Sequence, residues 1–253
     1  MLLVVDIGNS NVVMAIHDGA KWVGNWRIYS DPKKTSDEYF VVVERMVSHA
    51  GFDVTEIDQA IVCSVVPNLT RAFQKVVKEL TGINPLMASH NTAPGLNRQS
   101  IPPELGYDML ANAVAAHALY PQDACMILDF GTALTLTTVS ASGEVLGAAI
   151  APGLVTAVNS LFQNTAQIPQ VQLRMPDQAI GRNSEQAIRS GIMYGYSGLV
   201  KELILKTEQE LGCTVKVIAT GGLSATIAPL IGRIDLLAPL HTLEGLRLMV
   251  QAG

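Results

Sequence analysis

Two acidic residues occupy the same sequence context in the two halves of the chain. Asp6 and Gly8 lie in "LLVVDIGNSNVVMAI", and Asp129 and Gly131 lie in "MILDFGTALTLT". In each case an apolar run ends in a short turn that contains glycine, and a second β-rich run follows. Such a turn exposes backbone N–H groups that bind phosphate, whereas a carboxylate is suited to a cation that bridges to the phosphate. The pattern predicts a site for a nucleotide polyphosphate and its metal.

The plain alternative for either carboxylate alone is a cap on a turn. The matched placement of Asp6 and Asp129, separated by close to half of the 253 residues, favours the functional interpretation. The standard nucleotide motifs GxxxxGKS, GxxxxGKT and GxGxxG are missing from the sequence. "DFG" at 129–131 is not accompanied by the other protein-kinase motifs, so that class is disfavoured.

A third carboxylate, Asp108, begins an Ala-rich helix in "ELGYDMLANAVAAH". It is either a charge stabilised by the helix dipole or a general base that accepts a proton from a hydroxyl attacking the γ-phosphate. The spacing alone leaves both open. "TGGLSA" at 220–225 likewise is either a strand-to-helix turn or a surface against which an adenine packs.

A long helix is predicted to start in "GRNSEQAIRSGIMYGYSGL", with Asn183 or Ser184 as its cap. Its small residues, Gly191 and Gly195 among them, allow close helix packing. That face is interpreted as either core or a dimer seam. The five His residues are scattered, and none receives a role.

Composition narrows the class of protein. The chain is 49% hydrophobic and 15% charged, which is typical of a well-packed globular protein. A net charge of −5 without a basic face argues against nucleic-acid binding. The longest weakly polar stretch, near 145–158, contains Pro152 and is too short to span a bilayer, so no membrane partner is expected.

The three cysteines are far apart, and each lies in an apolar run: Cys63, Cys125 and Cys213. They are interpreted as reduced, buried thiols of a cytoplasmic protein. The N-terminus has no basic leader and is predicted to be a buried strand rather than a signal sequence.

The elements that must position these residues alternate between apolar strands and amphipathic helices. Strands are predicted at 2–7, 11–17, 22–29, 59–66, 85–88, 124–128, 133–139, 144–150 and 214–220. Helices are predicted at 36–50, 68–82, 107–120, 153–165, 184–211 and 242–251. The order strand–strand–strand–helix–strand–helix occurs twice, which predicts an α/β protein made of two duplicated domains with mixed sheets.

The two duplicated domains are placed at 1–105 and 106–253. The duplication explains why a Gly-containing turn with an acidic residue occurs twice, if the domains face each other across a cleft and each contributes one such turn to it. A carboxylate from the helix at 107–120 would then reach the acceptor alcohol.

The chain resembles the type III pantothenate kinases of the acetate and sugar kinase/Hsc70/actin superfamily. The resemblance runs nearly end to end and rests on these segments: "DIGNSN" at 6–11, "WRIYSDPKKTSDEY" at 26–39, "SVVPNL" at 64–69, "GYDMLANAVAA" at 106–116, "DFGTALT" at 129–135, "GAAIAPGL" at 147–154, "IGRNSEQAIRSGIMYGYSGLV" at 180–200 and "TGG" at 220–222. It implies two ribonuclease-H-like (actin-like ATPase) domains with mixed sheets flanked by helices. It also implies ATP-dependent phosphorylation of pantothenate to 4′-phosphopantothenate, the first step toward coenzyme A.

The resemblance also implies site residues. Asp108 would be the catalytic base, and Asp6 would lie near Mg²⁺. The residues that bind ATP would be Asp6, Ile7, Gly8, Asn9, Ser10, Asn11, Val12, Val13 and Thr132. Gly221 and Gly222, in the "TGGLSA" segment that is interpreted as an adenine surface, would complete the set. Pantothenate would contact Gly106, Tyr107, Asp108, Met109 and Ser184. Asp129 would bind a monovalent cation, K⁺ or NH₄⁺, and the enzyme would be a homodimer.

Several positions depart from the family pattern, and two of them motivate the alternatives below. Met109 stands where arginine is usual, and Leu134 where threonine is usual. The lost guanidinium would have been a partner for the carboxylate of pantothenate, so Met109→Arg is expected to raise pantothenate affinity. These departures leave two alternatives open: a catalytically weakened nucleotide-binding homologue with a regulatory or partner-binding role, and a kinase of another small alcohol.

Overall fold

The computed structural model describes residues 1–163 and 171–251 of the chain. The strands are β1 Leu2–Ile7, β2 Asn11–His17, β3 Trp22–Tyr29, β4 Gln59–Ser64, β5 Leu86–Met87, β6 Cys125–Phe130, β7 Ala133–Val139, β8 Val145–Pro152, β9 Lys216–Thr220 and β10 Leu236–Leu237. The α-helices are α1 Ser36–His49, α2 Pro67–Thr81, α3 Tyr107–Leu119, α4 Leu154–Gln163, α5 Ser184–Leu211, α6 Ser224–Ile231 and α7 His241–Gln251. Short 3₁₀ helices occupy Val54–Glu56, His90–Thr92 and Arg98–Ser100.

The repeated order of strands is confirmed, because each half forms a five-stranded mixed sheet with the corresponding strand order. Helix α1 separates the third and fourth strands of the first half, whereas both α4 and α5 lie between those of the second. The first sheet has the order β3-β2-β1-β4-β5, and the second has the corresponding order β8-β7-β6-β9-β10. In each, the first three strands are antiparallel, and the fourth lies parallel to the first. β1 and β6 also share one burial pattern, in which only the penultimate residue is half-buried. That residue is Asp6 in one sheet and Asp129 in the other.

The chain divides into two compact units. The first comprises Met1–Ala115 together with the chain from Thr242, and the second comprises Ala116–His241. The division falls within α3 and assigns α7 to the first unit. The sequence-based domains, 1–105 and 106–253, describe the duplicated segments and remain a prediction.

Each unit has its own apolar core between its sheet and its helices. In the first unit, Leu3 and Ile7 of β1 pack with Val43 of α1 and Phe73 of α2. In the second, the corresponding cluster joins residues of β6, α5 and α6. These helices and strands form because their apolar residues recur at the spacing of one buried face.

The helix ends follow local chemistry. Thr35 and Glu38 form a reciprocal capping box at the start of α1. Gly82 ends α2 in the left-handed conformation at φ 76°, as the sequence predicts. Asn183 is the cap of α5, since its side-chain oxygen accepts from the Gln186 N–H at 2.9 Å. Ser184 is therefore the first helical residue and not the cap.

Some expectations need correction. Cys63 and Cys125 are buried, but Cys213 is exposed, because it follows the glycine that ends α5. Strand β10 was not predicted, since two residues carry no recognisable period. The predicted end of α4 at residue 165 lies outside the described residues. In the described part of the chain, none of the helices combines the length and apolar character needed to cross a bilayer.

Candidate functional site

The acidic turn of the first unit is a tight connection between β1 and β2. Asp6 pairs with Val13 across the hairpin, and the Gly8 N–H donates to the Asn11 carbonyl at 2.9 Å. The turn thus consists of Gly8, Asn9 and Ser10, with the Asn9 side chain exposed and Asp6 half-buried. This turn offers a carboxylate, polar side chains and backbone amides within six residues.

The predicted ATP-binding residues of this segment differ in what they can present to a ligand. Ile7 and Val12 are buried in the core, so only their backbone could contact a nucleotide. Val13 and Asn11 are half-buried. The polar groups of the turn itself are therefore the ones accessible to phosphate.

Asp108 lies in the first turn of α3, and its carboxylate folds back onto the helix N-terminus. Its Oδ1 accepts from the Met109 N–H at 2.8 Å. A Cβ on Gly106 would sit 2.5 Å from the same oxygen, so a larger residue there would displace the carboxylate. Burial raises the pKa of Asp108 above its ordinary value, and the hydrogen bonds from the Met109 and Asp108 N–H groups oppose the rise. Both sequence interpretations thus have a structural basis: the carboxylate lies in the first turn of the helix, where the helix dipole stabilises its charge, and it is a stronger base than an exposed Asp.

Cys63 is a buried thiol that is influenced by both Asp6 and Asp108. It pairs with Asp6 across the parallel strands β1 and β4 and is fully buried. Burial raises the pKa of the Cys63 thiol well above its ordinary value, and the negative charges of Asp6 and Asp108 add to the rise. Both predicted site carboxylates are thus near enough to this thiol for their charges to raise its pKa. Sequence reasoning missed Cys63, which only the parallel register could have identified.

The residues predicted to contact pantothenate differ in burial and lie in both units. Tyr107 packs edge-on against His90, with ring centroids 5.3 Å apart, which gives one of the scattered His residues a structural role. Met109 is buried, at 7% exposure, so its side chain belongs to the packed interior. Ser184 lies in the second unit, exposed at the start of α5.

The acidic turn of the second unit is one residue shorter. Asp129 pairs with Thr135, and the Gly131 N–H donates to the Ala133 carbonyl at 3.1 Å. Only Gly131 and Thr132 connect β6 to β7, and both are exposed. The two turns are thus alike in the position of the acidic residue and different in length.

Gly221 lies against Asp129 at the end of β9. Its φ is +88°, and a Cβ there would sit 2.6 Å from Asp129 Oδ1 and 2.6 Å from the Phe130 nitrogen. This contact alone accounts for glycine at position 221, and contact with a ligand is not needed to explain it. Gly222 is exposed, and contact of either glycine with adenine remains a prediction.

The small-residue face of α5 is open in the second unit. Cβ atoms added at Gly191, Gly195 and Gly198 would meet nothing within 4 Å, whereas Ser190 is buried and donates to the Ala179 carbonyl. The core interpretation is therefore wrong for the three glycines.

The donor set at Asp6 fits a magnesium ion that is held jointly with a nucleotide. Among residues 1–163 and 171–251, no three His, Cys, Asp or Glu side chains converge as a metal cage. Mg²⁺ generally needs no such cage, because it keeps several waters and is bound through one or two carboxylates plus substrate phosphates. A single half-buried carboxylate beside a polar turn meets that requirement.

Comparison with known proteins identifies the family. The sequence model of the family described as type III pantothenate kinase matches residues 2–206. A type III pantothenate kinase of Moorella thermoacetica is 39% identical over 252 residues, which is 99% of each chain.

Solved structures agree on the fold. A conserved protein of Campylobacter jejuni assigned to the Baf family of transcriptional activators has a TM-score of 0.61 at 19% identity, covering 99% of this chain and 98% of that one. The activator of 2-hydroxyisocaproyl-CoA dehydratase from Clostridium difficile, with bound ADPNP, has a TM-score of 0.55 at 12% identity, covering 99% and 95%. The predicted α/β fold of the actin-like ATPase type, with two mixed sheets flanked by helices, is thereby confirmed. The chain belongs to the type III pantothenate kinase family.

Proposed function

We propose that this protein transfers the γ-phosphoryl group of ATP to the primary hydroxyl of pantothenate, giving 4′-phosphopantothenate for coenzyme A synthesis. The observation that carries the proposal is the match to curated type III pantothenate kinases along essentially the whole chain. The chain also retains the carboxylates that such a transfer needs, at Asp6, Asp108 and Asp129.

Asp108 is the base of the proposed reaction. It accepts the proton of the attacking hydroxyl, and its pKa is raised by burial. A base is most effective when its pKa approaches the working pH, so the rise favours proton transfer at neutral pH. The hydrogen bond from the Met109 N–H holds one carboxylate oxygen and leaves the other for the alcohol.

The turn after β1 binds the phosphates of ATP. The backbone amides of Asn9 and Ser10 and the side chains of Asn9 and Asn11 supply donors, since the Gly8 N–H is already bound to the Asn11 carbonyl. The carboxylate of Asp6 holds Mg²⁺. A magnesium ion supplies charge neutralisation to the β- and γ-phosphates when bound. Positioning and charge stabilisation, rather than covalent participation by the protein, then account for catalysis.

The second acidic turn has the complementary roles. Asp129 supplies a carboxylate for a monovalent cation, K⁺ or NH₄⁺, and Thr132 contacts ATP. Gly221 and Gly222 present backbone to the adenine. Support comes from Thr132 being exposed and from Asp129 lying against Gly221.

Pantothenate contacts Gly106, Tyr107, Asp108 and Met109 at the start of α3, and Ser184 at the start of α5. For buried Met109 the contact involves its backbone rather than its thioether.

A homodimer is supported by the open face of α5. Gly191, Gly195 and Gly198 have no neighbour on that side, and Tyr194 beside them is exposed. We place the enzyme in the cytoplasm, on the grounds that Cys63, Cys125 and Cys213 are all free thiols.

A coupled ADP-release assay tests the proposal, run with and without pantothenate and K⁺. Wild-type protein should show turnover that depends on pantothenate. Asp108→Asn keeps the shape but removes the base and should lower kcat by roughly 10²–10⁴-fold. Asp53→Asn, an exposed carboxylate that caps a 3₁₀ helix, is the matched control and should retain full activity.

Three results would contradict the proposal. ATP binding without turnover would indicate a regulatory homologue, and turnover only with a different alcohol would indicate another acceptor. Activity within tenfold of wild type in Asp108→Asn would remove Asp108 from its assigned role.

A further inference from the structure

Ser30 lies directly after β3 and binds the acidic turn of the first unit at two points. Its N–H donates to the Ser10 carbonyl at 3.0 Å, and its hydroxyl donates to the Gly8 carbonyl at 2.6 Å. The residue is 3% exposed. Two of the three carbonyls of the turn, those of Gly8 and Ser10, are therefore bound by Ser30.

Peptide planarity gives these bonds a directional consequence. The Gly8 carbonyl and the Asn9 N–H belong to one planar trans peptide and point in opposite directions. Since Ser30 holds the carbonyl, the Asn9 N–H must point away from Ser30. Glycine would otherwise allow this peptide to rotate freely, and a carbonyl turned outward would repel an anion.

The position of Ser30 is itself fixed by Tyr39 of α1. The Tyr39 hydroxyl accepts from the Asp31 N–H at 2.8 Å and donates to the Asp31 carbonyl at 3.1 Å. Tyr39 is 1% exposed and packs against Phe73 with ring centroids 4.7 Å apart. The first helix of the unit thus anchors the backbone next to Ser30.

The second unit holds its turn in the same manner with different residues. Gly153, directly after β8, donates its N–H to the Thr132 carbonyl at 2.9 Å. Thr156 donates its hydroxyl to the same carbonyl at 2.7 Å. The residue after the third strand therefore restrains the acidic turn in both units, although one is Ser and the other Gly.

We propose that Ser30 is a positioning residue for nucleotide binding: it keeps the Gly8–Asn9 peptide turned so that its N–H faces the phosphates. The inference rests on the proposed function of the turn. It concerns phosphate binding and not the acceptor alcohol, so it predicts an effect on ATP that is separate from any effect on pantothenate.

The test compares Ser30→Ala with Ser30→Thr. The affinity for a non-hydrolysable ATP analogue with Mg²⁺ is measured by calorimetry, and KM for each substrate by the ADP-release assay. Ser30→Ala loses one hydroxyl hydrogen bond and should weaken nucleotide binding about fivefold to tenfold, with KM for pantothenate within about twofold. Ser30→Thr keeps the hydroxyl and should bind nucleotide like wild type.

Ser197→Ala is the matched control. Ser197 is also buried and donates its hydroxyl to a backbone carbonyl, that of Leu230, at 2.9 Å. This variant should lose thermal stability without a change in nucleotide affinity. Tyr39→Phe perturbs the turn indirectly, through the backbone next to Ser30, and should weaken nucleotide binding less than Ser30→Ala does. It tests the same inference if Ser30→Ala does not fold.

The outcomes separate this inference from the proposed function. If wild type turns over pantothenate but Ser30→Ala binds nucleotide normally, the inference is wrong and the proposed function stands. If wild type binds nucleotide without pantothenate turnover, the proposed function fails, and the calorimetric comparison still decides the role of Ser30. Equal losses of affinity in Ser30→Ala and Ser197→Ala would mean that general destabilisation is the cause.

Discussion

Gly221→Ala tests how tightly the end of β9 packs against Asp129. Gly221 has a φ of +88°, and an added Cβ would lie 2.6 Å from both Asp129 Oδ1 and the Phe130 nitrogen. The left-handed conformation costs an alanine about 1–2 kcal/mol. Forcing a methyl group against backbone costs a further ~1–3 kcal/mol.

The expected loss in the free energy of unfolding is therefore roughly 2–5 kcal/mol. For a protein of this size each kcal/mol lowers Tm by about 2–4 °C. Thermal unfolding followed by circular dichroism should show a fall in Tm of roughly 4–20 °C. Displacement of Asp129 should also weaken activation by K⁺ in the ADP-release assay.

Gly232→Ala provides the control for backbone strain alone. Gly232 has a φ of +65°, and an added Cβ would meet nothing within 4 Å. This variant should lose only about 1–2 kcal/mol and keep its response to K⁺. Equal losses of stability in the two variants would refute the reasoning, because the contact with Asp129 would then contribute nothing.

Three further predictions concern single side chains. Because the pKa of Asp108 is raised in the folded protein, its contribution to stability is present below the ordinary pKa of 3.8 and is lost as pH rises through the folded pKa. Asp108→Asn should therefore raise Tm at neutral pH. The acid limb of the wild-type kcat/KM profile should lie above pH 3.8. Thr137 is 1% exposed, and its hydroxyl lacks a hydrogen-bond partner among the described residues. Thr137→Val should therefore add about 1 kcal/mol to the free energy of unfolding. The control Thr81→Val breaks a 2.7 Å hydrogen bond to the Val77 carbonyl and should lower the free energy of unfolding by about 1 kcal/mol. Met109→Arg should lower Tm, because it puts a guanidinium where a buried thioether packs; the longer side chain must leave the interior to reach the carboxylate of pantothenate, and pantothenate affinity is then expected to rise about tenfold in calorimetry. Unchanged or weaker pantothenate binding would contradict the assigned role of this position.

The sequence predicts the elements of this fold well where they have a clear period or cap. β1, β2 and β3 have the predicted bounds, because alternating or continuous apolar residues end before Gly8, Asp18 and Ser30. Two-residue β10 has no such signal, and its pairing with β9 depends on tertiary contacts. The position of Cys213 was predicted wrongly because an apolar run was given more weight than the glycine before it.

The candidate site was predictable only where it is local in sequence. The matched positions of Asp6 and Asp129 follow from the repeated pattern, and the start of α3 at Tyr107 places Asp108 in its first turn. By contrast, the contacts of Cys63 with Asp6 and of Gly221 with Asp129 depend on the parallel register of the fourth strand in each sheet. No local pattern encodes that register.

The most direct test of the account is identification of the product by mass spectrometry after incubation of the purified protein with ATP, Mg²⁺, K⁺ and pantothenate. The account predicts one phosphoryl group on the primary hydroxyl of pantothenate with wild-type protein, and almost none with Asp108→Asn at matched nucleotide affinity. Unmodified pantothenate in the wild-type reaction, under conditions where ATP is bound, would contradict it.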